Sequence, residues 1–425
     1  NYKDKIDYLL LAIPSLTPSK RREIIQKLSK FNIPVLQIPS IEELTSGRAN
    51  INNLRPITID DLLGRDSVLP EPQLLKECIE GFSICVTGAG GSIGRELCRQ
   101  IIKLKPNKLV LLEISEPSLY SIEQELLHLN REKVEIIPIL GSATNVNLMN
   151  KFFLDEKIDI VFHAAAYKHV PLVETNPIEG IYNNVISTKV VCQASKKASL
   201  KKVILISTDK AVRPTNIMGV SKRLAELVVQ SFAQNDFLTN SSPNTKTIFT
   251  MVRFGNVLGS SGSVVPLFQK QIKKGGPITI THPDIIRYFM TINEAAQLVM
   301  QSSALAQGGE VFLLDMGEPV KIYDLACEMV KLSGLRVKVS DDDSNDIQII
   351  TTGLRPGEKL YEELLIDSKA EKTEHDLIFK ASEKSIDFNI LWPLLEELEN
   401  QLKNQNLEEV FLILKKLVPE WKIRK

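Results

Sequence analysis

Three stretches of this chain carry residue types that could do chemistry together. The first is Thr87-Gly88-Ala89-Gly90-Gly91-Ser92-Ile93-Gly94, with glycines at 88, 91 and 94 in the spacing G-x-x-G-x-x-G. The first glycine permits a tight turn, the second lets backbone approach a pyrophosphate, and the third lets the next helix pack closely on a sheet. Ser92, Ile93 and Gly94 open that helix, whose unpaired N–H groups face the phosphates of a dinucleotide. The motif gains weight from its context: it follows the apolar run Ser83–Val86 and precedes a helical pattern with Glu96, Leu97 and Ile101. The second stretch, Ser207-Thr208-Asp209-Lys210, sets hydroxyl, carboxylate and amine side by side behind the apolar run Val203–Ile206. Taken alone, its Asp-Lys pair reads as a surface salt bridge. The third is Met218-Gly219-Val220-Ser221-Lys222, with Met218 and Lys222 one helical turn apart on one face. Met218 cannot carry a proton, so any proton transfer here must use another group.

A parallel, doubly wound sheet would bring these stretches to one edge. Apolar runs recur at Ile84–Val86, Leu109–Leu112, Val134–Ile139, Ile158–Phe162, Val203–Ile206 and Ile248–Val252. They are continuous rather than alternating, as strands buried on both faces are. Helix-like segments separate most of them, which predicts an α/β, Rossmann-like doubly wound parallel sheet. Such sheets bind ligands at the C-terminal ends of their strands, where Ser207–Lys210 would lie. The second strand would end at Glu113, nineteen residues beyond Gly94. An acidic residue there accepts hydrogen bonds from ribose hydroxyls and repels a 2′-phosphate, so NAD is expected over NADP.

Around this core, residues 1–60 read as a partial α/β domain: a strand within Asp7–Ile13, a helix from Thr17 to about Phe31, and a strand Val35–Ile38. Residues 61–81 read as a linker. Residues 82–370 read as the cofactor-binding domain, with an interleaved smaller substrate region mainly at 256–366. Residues 371–425 read as a helical segment, in which Leu407, Val410, Phe411, Leu414, Leu417 and Val418 form a docking face. Ser340–Asp343 reads as a solvated loop.

Composition excludes several classes. The 425 residues balance 52 Lys+Arg against 52 Asp+Glu, and a neutral chain lacks the basic surplus on which nucleic-acid binding rests. Five scattered cysteines without Cys-x-x-C spacing imply reduced thiols and a cytoplasmic setting. The five histidines show no metal-ligand spacing, so no metal is expected. No stretch approaches the ~20 apolar residues that span a bilayer. The start at Asn1 resembles neither an initiator Met nor a signal peptide, and the chain reads as a fragment or processed product without membrane insertion of its own.

Several stretches together resemble the extended short-chain dehydrogenase/reductases, where Met218 would normally be Tyr. Within them the chain is most similar to the UDP-N-acetylglucosamine 4,6-dehydratases of the long, membrane-anchored type, which act in bacterial polysaccharide and glycan synthesis. The resemblance is carried by TGAGGSIG (87–94), HAAAYKHVP (163–171), NNVISTK (183–189), STDKAVRPTNIMGVSKR (207–223), RFGNVLGSSGSVVPLF (253–268), RYFMT (287–291) and GLRPGEKLYEELL (353–365). It spans roughly Arg65 to Asp367.

The resemblance implies tightly held NAD, with Ala164, Ala165 and Ser207 joining the glycine loop around it and Lys222 anchoring the nicotinamide ribose. It implies Thr208 on the carbon 4 hydroxyl, Asp209 as acid for the departing carbon 6 hydroxyl, and Lys210 as base at carbon 5. A base must be neutral, so Lys210 needs a depressed pKa. Lys168, Asn184, Asn256, Ser263, Arg287, Arg355 and Glu358 are implied to hold the UDP-sugar, with Asn184 ordering the active site. One departure is Ser142, where the family usually has an adenine-binding Asp. The expected activity is 4,6-dehydration of UDP-N-acetylglucosamine, with retention at carbon 5, by a homo-oligomer in the cytoplasm or, in a longer protein, on the cytoplasmic face of the inner membrane. Two rivals are a UDP-sugar epimerase of the same fold, disfavoured by Met218, and a non-catalytic NAD- and nucleotide-sugar-binding regulator, disfavoured by the intact Asp209-Lys210 pair.

Overall fold

The apolar runs do form one sheet. A computed structural model describes residues 6–13, 15–31, 33–38, 55–56, 70–238, 246–338, 346–365 and 370–422. Its nine-stranded sheet runs, edge to edge, Glu371–Lys372, Ile378–Ala381, Val311–Leu314, Ile248–Arg253, Lys202–Ile206, Ile160–His163, Ser83–Thr87, Lys108–Glu113 and Glu135–Leu140. From Val311–Leu314 to Glu135–Leu140 all neighbours are parallel. Strand order reverses between Ser83–Thr87 and Ile160–His163, the switch point at which such sheets open a crevice for ligands.

Side-chain alternation sorts each strand between two cores. Cys85, Val110, Val161, Val203, Leu205, Phe249 and Met251 face the helices Val146–Asp155, Ser187–Lys197 and Ile217–Leu238. Ile84, Val86, Leu109, Leu111, Ile160, Phe162 and Ile204 face Ser92–Ile101, Glu116–Leu129 and Ile292–Leu305. A third core, built on Phe268, Ile272, Ile278, Phe289, Leu325 and Val330, belongs to the smaller region beyond the sheet. All five cysteines are free thiols. Among the described residues, no helix is long and apolar enough to cross a membrane.

In the N-terminal piece, Leu9–Leu11 pairs in parallel with Val35–Gln37 across the helix Pro18–Leu28. Its Leu11, Ile25 and Val35 bury themselves in the third core, which supplies the face that a lone β-α-β unit lacks.

Two expectations need correction. The stretch 61–81 is not all linker, because Pro72–Ile79 is a helix that buries Leu74, Leu75, Cys78 and Ile79. Glu71 also donates its backbone N–H to Gln301 Oε1 at 2.7 Å, tying the helix start to Ile292–Leu305. The segment 371–425 is not all helical: Glu371–Lys372 and Ile378–Ala381 pair antiparallel and extend the sheet before helices begin at Phe388. Both elements are too short for periodicity to reveal. The loop Ser340–Asp343 falls outside the described residues.

The C-terminal docking face is occupied from within the chain. Val410, Leu414, Leu417 and Val418 are buried against the core that includes Leu395, Leu398 and Leu402. Truncating Leu414 to Ala should therefore cost about 2–5 kcal/mol, read as a lower denaturant midpoint. A midpoint equal to that of the wild type would contradict this packing.

Candidate active site

The glycine loop lies at the switch point. Gly88 takes φ 66°, and a Cβ there would stand 2.8 Å from the backbone of Ala165. A Cβ on Gly94 would collide with the carbonyl oxygen of Gly88. Gly91 is less confined and caps the helix Ser92–Ile101, its N–H bonded to Gly88 O at 3.0 Å. Gly90, not singled out from the sequence, is also confined: a Cβ there would stand 2.5 Å from Ser118 Cβ. A loop that excludes side chains at three positions, ending at a helix N-terminus, fits the pyrophosphate of a dinucleotide.

Glu113 ends the adjacent strand and lines a recess with Gly88, Gly91, Ser142, Ala164 and Ala165. Its carboxylate accepts from the N–H groups of Gly90 at 2.9 Å and of Ile114 and Ser115 at 3.0 Å. A carboxylate has about four acceptor positions, so capacity for a ribose hydroxyl remains. Ser142 is turned to its own loop, sharing a 2.8 Å hydrogen bond with Thr144 Oγ1. Ala165 donates its N–H to Thr87 Oγ1 at 3.3 Å.

The loop opens into a cleft of about 880 Å³. Gly88, Gly91, Ser92, Ile93, Gly94 and Ala164 line it, as do Thr208, Lys210, Met218 and Lys222. Asp209 is buried, and its Oδ1 accepts from Thr208 Oγ1 at 2.8 Å and from Lys210 Nζ at 2.9 Å. Lys210 Nζ also reaches Asn256 Oδ1 at 3.3 Å. Hydroxyl, carboxylate and ammonium thus form one hydrogen-bonded line at the end of the strand Lys202–Ile206. Lys222 is buried, with Nζ donating to the carbonyl of Ile206 at 2.6 Å. Burial lowers its pKa to about 8, against a smaller opposing pull from Glu226.

Lys210 departs from expectation. Burial acts to depress its pKa, but the carboxylates of Asp209 and Glu362 outweigh burial and the net direction is upward. As it stands, Lys210 is held protonated, whereas a base must be neutral. Glu362 is the missed residue behind much of this: it lines the cleft and its side chain is 6% exposed. The sequence Tyr361-Glu362-Glu363 offers two adjacent carboxylates, and only the fold separates them. Glu363 pairs at the surface with Arg213 at 3.1 Å.

The other proposed binding residues divide. Lys168, Asn256, Ser263, Arg287, Arg355 and Glu358 line the cleft. Burial, then the charge of Lys210, lowers the Lys168 pKa. Ser263 precedes the helix Val264–Lys273, and its buried Oγ has no partner among the described residues. Arg287 clamps the 355–362 segment by donating to the carbonyls of Lys359 at 2.8 Å and Leu360 at 3.1 Å. Glu358 accepts from Thr281 Oγ1 at 3.0 Å and from the Arg355 N–H at 3.1 Å, closing the turn.

Two assignments change. Asn184 does not line the cleft: its amide is spent on the Tyr167 N–H at 2.7 Å, the Tyr167 carbonyl at 3.0 Å and Ser221 Oγ at 2.9 Å. It lies on a π-helical turn, Tyr182–Ile186, and its amide ties Tyr167, which lines the cleft, to Ser221. Ser207 lines the cleft but turns its hydroxyl inward to Glu226 Oε1 at 2.6 Å, so only its other atoms could meet a cofactor.

The parallel sheet, its switch-point glycine loop and the lysine behind it define a Rossmann-type protein of the extended short-chain dehydrogenase/reductase fold. The chain belongs to the family described as "Polysaccharide biosynthesis protein", which it matches over residues 84–383. It is 48% identical to the capsular polysaccharide biosynthesis protein CapD of Staphylococcus aureus and 43% identical to the probable polysaccharide biosynthesis protein EpsC of Bacillus subtilis (strain 168). Each alignment covers 85% of this chain but only 58% of the relative. Among solved structures it is similar to Pen from Bacillus thuringiensis, with a TM-score of 0.62, 31% identity, and coverage of 75% of this chain and 98% of that one.

Two outcomes test the site. Gly94→Ala should lower dinucleotide affinity at least about tenfold, because the added methyl displaces the loop, measured by titration calorimetry; unchanged affinity would contradict the loop assignment. Lys222 has a folded pKa of about 8, below the unfolded value near 10.4. Between those values the unfolded chain binds more protons, so this group adds stability as pH rises from about 8 to about 10.4. Lys222→Met should remove that part of the pH dependence of thermal melting, and parallel profiles for the two proteins would contradict the shift.

Proposed function

We propose that this protein is an NAD-dependent nucleotide-sugar 4,6-dehydratase acting on UDP-N-acetylglucosamine, in the synthesis of a bacterial surface polysaccharide or glycan. The observation that carries the reading is the line Thr208–Asp209–Lys210, in which one oxygen of the buried Asp209 carboxylate bonds both the hydroxyl and the ammonium of the two cleft-lining residues that flank it. Removing water across carbons 5 and 6 needs an acid and a base in adjacent positions. An epimerase would need neither at those carbons.

Bound NAD supplies hydride acceptance from carbon 4 and hydride return to carbon 6, with no net redox change. The chain's own residues move the protons. The carbon 4 hydroxyl proton leaves through Thr208 to Asp209, along the 2.8 Å hydrogen bond. This route needs no Tyr, consistent with Met218 at that position. The ketone at carbon 4 acidifies the carbon 5 proton, which Lys210 takes in its neutral form. Asp209 gives its proton to the carbon 6 hydroxyl, which departs as water. Lys210 returns its proton to carbon 5 from the same face, giving retention and a 4-keto-6-deoxy sugar. Lys222 anchors the nicotinamide ribose, and Glu113 the adenosine ribose. Lys168, Ser263 and Arg355 offer cationic and hydroxyl donors to the diphosphate, and Glu358 an acceptor to the uridine ribose. Asn256 holds Lys210 in line, and a homo-oligomer is the expected assembly.

The test is incubation of the purified protein with UDP-N-acetylglucosamine, followed by proton NMR. A new carbon 6 methyl signal beside a 4-keto or hydrated centre is expected. Asp209→Asn and Lys210→Met should each slow its appearance by about 10²–10⁴-fold while leaving circular dichroism unchanged. Unchanged sugar, or an epimer that keeps its hydroxymethyl group, would overturn the proposal.

A further inference from the structure

One carboxylate in the cleft has no task in this scheme. Glu362 lies beyond the Arg355–Glu358 turn, and its Oε2 is buried without a hydrogen-bond partner among the described residues. Its Oε1 stands 3.8 Å from Arg287 Nη2, too far for a hydrogen bond. The charged groups facing it are Lys210, Asp209, Arg287 and Lys359. Burial, most of all, pushes its carboxyl above the ordinary range; Asp209 adds to this, while Lys210, Arg287 and Lys359 oppose it.

The proton count leaves an opening for such a group. The inference rests on the dehydratase reading above. At the outset Asp209 is a carboxylate paired with the Lys210 ammonium. Oxidation at carbon 4 sends one proton through Thr208 to Asp209, which is then full. Lys210 is still an ammonium and cannot take the carbon 5 proton until it sheds one. An ammonium has three donors. Two are engaged by Asp209 and Asn256, and the third has no partner among the bonds described. The unpartnered acceptor that lines the same cleft is Oε2 of Glu362.

We propose that Glu362 takes the proton from Lys210 through one bridging water, holds it during elimination, and gives it back at the end of each turnover. The balance closes. After the transfer the set is protonated Asp209, neutral Lys210 and protonated Glu362. Elimination moves the carbon 5 proton to Lys210 and the Asp209 proton to the departing hydroxyl. Reprotonation of carbon 5 leaves Lys210 neutral again. Glu362 then returns its proton to Lys210, and the starting set is restored. Glu362 is a positioning residue acting through Lys210.

The experiment compares wild type, Glu362→Gln and Glu362→Asp by the rate of methyl formation from pH 6 to pH 10, with thermal melting and NAD content measured for each. At pH 7 Glu362→Gln should be slower by about 100-fold, within the usual range for a lost proton-transfer group. The deficit should shrink as pH rises, because solvent then deprotonates Lys210. Glu362→Asp should fall between the two. A Gln variant within threefold of wild type at pH 7, or a deficit equal at every pH, overturns the proposal. Should the Gln variant fail to melt cooperatively, the Asp variant decides: a profile displaced to higher pH is expected, and an undisplaced profile overturns it. Wild type that forms no methyl product instead removes the dehydratase reading, and this inference with it.

Discussion

A buried ionic cluster holds the two walls of the active site in register. Arg253 ends its strand with no exposed surface and grips two carboxylates. It donates to Glu226 at 2.7 and 2.6 Å and to Glu383 at 2.7 Å through two separate bonds. Arg223 reaches the same two carboxylates at 3.2 Å and Glu420 at 3.0 Å. Burying these charges is costly, and the cost is offset because each carboxylate meets two guanidinium groups with good geometry. Removing one partner from such a cluster typically costs about 3–5 kcal/mol, since the remaining charge stays buried. Burial opposes the Arg253 charge, and Glu226 and Glu383 overcome it and hold the group cationic.

The cluster matters to chemistry through two further bonds. Glu226 accepts from Ser207 Oγ, two residues before Asp209. Arg253 Nη1 donates to the carbonyl of Leu364 at 3.1 Å, two residues after Glu362. One guanidinium and one carboxylate thus fix the segments that carry Asp209, Lys210 and Glu362. Glu383 ties the antiparallel sheet edge to the same point, and Glu420 ties the C-terminal helices to it. This explains why the chain beyond residue 370 belongs to the site although none of its described residues lines the cleft: it supplies counter-charges that let Arg253 and Arg223 be buried.

What could be read from the sequence was local. The glycine loop, the strand runs and the Thr208-Asp209-Lys210 line depend on neighbours within a few residues, and the structure keeps them. The contacts that could not be read are long-range. Leu364 is 111 residues from Arg253, and Glu383 is 130 residues from it. No pattern near Glu362 distinguishes it from Glu363. Asn184 and Ser207 sit in the right motifs, but the direction of their polar atoms was fixed by Tyr167, Ser221 and Glu226, all distant in sequence. The charge state of Lys210 likewise depends on Glu362 across the cleft, so its expected depression could not be checked from residue types.

In the proposed reaction a single cleft oxidises carbon 4 and delivers that hydrogen to carbon 6, while Asp209 and Lys210 remove water between the two events. UDP-N-acetylglucosamine labelled with deuterium at carbon 4 tests it most directly, with the product analysed by NMR and mass spectrometry. A carbon 6 methyl group carrying one deuterium that came from carbon 4 of the same molecule is expected. Deuterium that stays on carbon 4 of an inverted sugar, or a methyl group free of label, would contradict it.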